Sequence, residues 1–109
     1  MADELEVLRA ELDGIDDALF ALVRDRMRCI ERVGAVKARA GTPVFQPGRA
    51  AEGQRQAAAR AREHGLDEAF LVRLADLLMA EAIRVEEAIV ARAAQAGVSN
   101  EGPANSPPT

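Results

Sequence analysis

Leu5, Leu8, Leu12, Ile15, Leu19 and Leu22 recur at alternating steps of three and four, and Cys29, Val33, Val36 and Ala40 carry the stripe onward. This spacing keeps one face apolar at 3.6 residues per turn and predicts a single long helix over residues 3–40. Asp3 with Glu6 three residues later is a start signal of the capping-box kind. Gly41 followed by Thr42-Pro43 is the stop, because Gly suits a left-handed cap and Pro cannot continue a helix. Gly14 and Gly34 fall inside the pattern without Pro beside them, so the helix is read as unbroken.

A second helix is predicted over 48–64, after a short loop 42–47 whose Pro47 suits a first helical turn. It is built of Ala, Arg and Gln with no Leu, Ile, Val or Phe, so it is expected to cover a site more than to form a core. A third helix is predicted over 67–96, opening at Asp67 with Leu66 and Leu71 as a hydrophobic staple. Its stripe is Leu71, Leu74, Leu78, Ala82, Val85 and Ile89, with Glu86 on the edge. From Gly97 on, the chain loses periodicity and is rich in Pro, Ser, Asn and Gly, which predicts a disordered tail over 97–109. The expectation is an all-α domain of three helices over 1–96.

The first helix would be about 57 Å long, whereas a compact domain of this size has a radius of gyration near 13 Å. One chain cannot cover the Leu stripe, so a homodimer is expected. Three Phe, no Trp and no Tyr among 109 residues fit helices and not a β-sandwich. A net charge of −4 with scattered arginines argues against nucleic acid as a partner. No apolar run approaches the length of a membrane span, and the start Met-Ala-Asp-Glu is acidic, so a cytoplasmic protein is expected. Cys29 lies on the apolar stripe and is expected in the core, while His64 is expected in a last helical turn. One Cys and one His make neither a metal cluster nor a nucleophile-base triad.

Position 26 changes the picture. The step between Leu22 and Cys29 calls for an apolar residue and holds Arg26 instead. Lys37, eleven residues on, returns to within about 20° of the same face. Arg9 sits about 100° off that line, about 26 Å from Arg26 and about 42 Å from Lys37, so it can share a site with them only as a residue of a second chain. The alternative is that Arg9 and Lys37 are ordinary solvated helix residues. If Arg26, Lys37 and Arg49 converge, their mutual repulsion calls for an anion, and Arg grips carboxylates bidentately. With no nucleophile, metal or phosphate loop in view, such a pocket suits a reaction needing orientation and charge stabilisation alone.

Leu8-Arg9, Arg26, the run Val33-Gly34-Ala35-Val36-Lys37, Arg49 after a Pro-containing loop, and Ala82 with Glu86 together resemble the all-helical class of chorismate mutases over about residues 5–92. The resemblance implies an intertwined homodimer of three helices per chain and a [3,3] rearrangement of chorismate to prephenate, without cofactor or metal. It implies that Arg26, and Arg9 of the other subunit, bind the two substrate carboxylates. Arg49 would stand near the ring and Lys37 would hydrogen-bond the ether oxygen. Ala82 would line the site, and Glu86 stands where many relatives have Gln. A Glu donates a hydrogen bond only when protonated, so activity is expected to rise towards acid pH.

Two substrate-contacting positions depart from the common pattern: Gln46 and Ala50 stand where acids are usual. The stretches Phe45-Gln46-Pro47-Gly48-Arg49 and Arg84-Val85-Glu86-Glu87 resemble mutases acting on 4-amino-4-deoxychorismate. Loss of two carboxylates offers no physical reason to prefer an amine. The Pro-x-Arg loop is also similar to that of isochorismate pyruvate lyases, and a non-catalytic helical dimer is the third alternative.

Overall fold

The computed structural model describes the backbone of residues 3–104 and the side chains of residues 3–97. Three helices account for nearly all of it: α1 spans Glu4–Ala40, α2 Pro47–His64 and α3 Glu68–Ala104. The punctuation is the predicted one. Asp3 caps α1, its carboxylate accepting from the Glu6 N–H at 2.7 Å, which satisfies one of the amides a helix start leaves without a partner. Gly41 closes α1 and Gly65 closes α2, each at φ +68°, the left-handed region that costs a glycine nothing. Pro47 opens α2 one residue earlier than expected, and His64 lies in its last turn. The Asp67 carboxylate accepts from Phe70 N–H at 2.8 Å at the start of α3.

The predicted end of α3 at residue 96 is corrected. The helix continues through Gly97 to Ala104, because Gly97 keeps helical dihedrals where a stop would have required the left-handed region that Gly41 and Gly65 adopt. The rest of the expected tail, 105–109, lies outside the described residues.

Both α1 and α2 pack on α3 and not on each other. Gly34 of α1 lies against Glu86 and Ile89, while Arg26 shares a cavity with Met79, so α1 and α3 advance in the same direction. Gln54 bonds Asp76 and Arg60 shares a groove with Leu71, so α2 runs back against them. Gly34 marks the closest crossing. A Cβ there would stand 3.1 Å from Ile89 Cδ1 and 3.3 Å from the Glu86 Cα, which accounts for a glycine inside a long helix.

The chain by itself is thin and long, 82 × 35 × 14 Å, with a radius of gyration of 20.7 Å against about 13 Å for a compact domain of this length. Its buried residues are small or polar: Gly34, Ala57, Ala61, Ala82 and Glu86. Leu5, Leu8, Leu12, Ile15 and Leu19 are 49–57% exposed, since α1 meets α3 only along its C-terminal half. The expected burial of Cys29 is corrected, because Cys29 lies about 140° around α1 from Gly34, where the helix meets α3. It is exposed, on a face of α1 that neither α2 nor α3 covers. No helix among the described residues is long and apolar enough to cross a membrane.

Candidate active site

Between the C-terminal half of α1, the loop 42–46, the start of α2 and the middle of α3 lies a cavity of about 270 Å³. Arg26, Lys37, Gln46, Arg49, Ala82 and Glu86 all line it. The periodicity of α1 explains the first two: eleven residues bring Arg26 and Lys37 to one face, about 16 Å apart along the axis. Ile30 and Val33 fill the wall between them, and Met79 and Ile83 of α3 stand opposite. A cavity with apolar walls and polar groups at its ends fixes the orientation of a small ligand.

Lys37 and Glu86 form the polar end. Lys37 Nζ donates to the Val44 carbonyl at 2.8 Å and stands 2.6 Å from Glu86 Oε1. The two side chains are only 15% and 6% exposed. The pair is ionic by distance, but Glu86 Oε1 is buried without meeting the angular requirements of a hydrogen bond. An ammonium has three donors, and Val44 takes only one of them. Arg26 forms the other end, and its guanidinium carries a buried nitrogen, Nη1, with no acceptor among the described residues. A buried cationic donor left unpaired is costly unless something anionic meets it. Arg49 is exposed on the rim.

Two predicted residues are not in this cavity. Arg9 is exposed on the projecting half of α1. One residue past Arg49 turns about 100° around α2, and Ala50 lines a separate recess of about 30 Å³ with Gln54, Ala75 and Asp76. Conversely, the Val44 carbonyl that accepts from Lys37 is one that no side-chain pattern announces. Arg60 lies outside this cavity and repeats after Arg49 the eleven-residue spacing that links Arg26 to Lys37. It lines a second groove of about 400 Å³ that shares Arg26, Arg49 and Met79 with the first cavity. Arg84 faces away: its hydrogen bonds to Glu81, at 2.6 and 2.8 Å, hold that carboxyl below the usual carboxylate range in full solvent.

With this geometry the comparison with known proteins is specific. The sequence profile described as chorismate mutase type II matches residues 8–87, a span that begins one residue before Arg9 and ends one after Glu86. This chain belongs to the chorismate mutase type II family. It is therefore an isomerase, and a non-catalytic helical dimer is set aside. Among its relatives in that family, the 4-amino-4-deoxychorismate mutase of Streptomyces venezuelae is 44% identical over 90 residues, covering 83% of this chain and 87% of the relative. The 4-amino-4-deoxychorismate mutase of Streptomyces pristinaespiralis is 40% identical over 89 residues, 82% of this chain and 69% of the relative. The bifunctional chorismate mutase/prephenate dehydratase of Aquifex aeolicus is 36% identical over 50 residues, 46% of this chain and 14% of that longer protein.

Proposed function

We propose that the chain catalyses the [3,3] rearrangement of 4-amino-4-deoxychorismate to 4-amino-4-deoxyprephenate, with chorismate as a weaker substrate of the same site. The observation that carries the chemistry is the buried Arg26 Nη1 without an acceptor, in one cavity with Lys37 and Arg49. The choice of the amino substrate rests on the two Streptomyces relatives and on no contact in the cavity.

In this reading Arg26 holds one carboxylate of the bent substrate and Arg49 stands at the ring side, with Gln46 and Ala82 along the wall. Lys37 donates one of its free N–H groups to the ether oxygen. As the carbon-oxygen bond breaks and the new carbon-carbon bond forms, negative charge grows on that oxygen, and a donor already in place stabilises it without reorganising. Holding both reacting ends together supplies the rest of the acceleration. No atom is lost and no covalent enzyme intermediate forms. Glu86 is the counter-ion of Lys37 while the cavity lacks substrate. It becomes a second donor to the ether oxygen when it takes up a proton.

The second carboxylate needs another cation, and Arg9 of the partner subunit supplies it in an intertwined homodimer. Support comes from the uncovered Leu stripe of α1 and from the open groove between α2 and α3.

The test is a parallel assay of purified protein on 4-amino-4-deoxychorismate, chorismate and isochorismate, with products identified by NMR. The expected result is 4-amino-4-deoxyprephenate formed with the highest kcat/KM. Pyruvate release from isochorismate as the fastest reaction would instead make the chain a lyase, and prephenate formation as the fastest would reassign the substrate.

A further inference from the structure

The groove of about 400 Å³ between α2 and α3 has a floor of Leu71, Leu74 and Leu78 and a rim carrying Arg49 and Arg60. Arg60 is exposed and, among the described residues, makes no ion pair within its own chain. The projecting half of α1 has the opposite character. Residues 4–17 hold six acids, Glu4, Glu6, Glu11, Asp13, Asp16 and Asp17, against the single cation Arg9, beside the uncovered Leu stripe. An apolar ridge edged with acid matches an apolar floor edged with arginine.

With α1 of a second copy seated in this groove, we infer that Arg60 takes the partner subunit's Asp16 as the anchor that sets the helix in register. This rests on the dimer reading above and adds the contact that aligns it.

Helix geometry selects Asp16 among the acids. Seven residues after Arg9, Asp16 lies within about 20° of the same face and about 10.5 Å further along the axis. Asp13 and Asp17 are rotated by about 40° and 80°, away from the Leu stripe. On the receiving side, Arg49 and Arg60 share one face of α2 about 16.5 Å apart. The mismatch of about 6 Å is within the span of one extended Arg side chain. For the partner's Arg9 to reach the Arg26 and Arg49 end while its Asp16 reaches Arg60, the incoming helix must run along α2. It then runs opposite to the resident α1, as a two-fold axis perpendicular to the helices requires. The anchor is thus a positioning contact: it places Arg9 without touching substrate.

The experiment measures the dimer dissociation constant by analytical ultracentrifugation for Arg60→Glu, Asp16→Arg and the double variant. Each single variant is expected to weaken the dimer by about two- to thirtyfold at low salt, as two symmetric surface pairs are lost, and by less at high salt. The double variant is expected to recover most of the loss. Wild-type affinity in both single variants, or additive losses in the double, would overturn the anchor while leaving the dimer in place. A wild-type chain that is monomeric and fully active at assay concentration would overturn the dimer reading and the anchor with it.

Discussion

Replacing Glu86 by Gln separates its two assigned roles. In the structure its carboxylate stands 2.6 Å from Lys37 Nζ, with both side chains largely buried. Unit charges at that separation attract by roughly 6 kcal/mol at an effective dielectric of about 20, and desolvation of the two groups offsets most of this. An amide oxygen can still accept from Lys37, and Lys37 keeps its bond to Val44. The net loss of stability in Glu86→Gln should therefore be about 1–2 kcal/mol, below the roughly 3–5 kcal/mol of a buried pair broken outright. Turnover should respond differently. Lys37 and Arg26 from α1 and Arg49 from α2 share the cavity with Glu86, and a carboxyl there can donate to the ether oxygen only with a proton on it. The amide donates at every pH. Measured as kcat from about pH 5 to about pH 8, the wild type should decline towards alkaline pH and Glu86→Gln should stay flat, exceeding the wild type at the alkaline end. Superimposable profiles would refute the donor role of Glu86.

Two further substitutions probe the frame and the site. Gly34→Ala should lower stability by about 1–3 kcal/mol despite a better helix propensity, because its Cβ meets the Glu86 backbone at 3.3 Å and cannot be relieved by a side-chain rotation; thermal melting checks it, and an unchanged melting temperature would mean the crossing can widen. Lys37→Ala should cost on the order of 10²–10³ in kcat, the usual loss for a donor to developing oxyanion charge, and steady-state assays that found only a higher KM would place Lys37 in binding instead.

Much of the fold was legible because helix signals are local. The Asp3 and Asp67 caps, the stops at Gly41 and Gly65 and the face shared by Arg26 and Lys37 follow from nearest neighbours and a fixed rotation per residue. The misreadings share a cause: each needed information from outside its own helix. Gly97 looks like a stop by residue type, yet only its dihedrals decide, and the structure keeps them helical. Cys29 belongs to an apolar stripe, but a stripe does not say which element covers it, and α3 packs on another face of α1. The Val44 carbonyl is backbone, which no pattern of side chains reveals, and the burial of Glu86 against Gly34 depends on a crossing between helices more than fifty residues apart in sequence.

The central claim is that each active site draws Arg26, Lys37 and Arg49 from one chain and Arg9 from the other. Arg9→Ala and Arg26→Ala homodimers, each lacking one carboxylate ligand in both sites, should be folded and nearly inactive. Refolded together in equal amounts, half of the dimers pair one chain of each kind. In such a dimer one site carries both defects and the other is intact. The mixture should then regain about a quarter of wild-type activity, as two-fold symmetry with exchanged residues dictates. No recovery in a mixture shown to contain the heterodimer would contradict a site shared between chains.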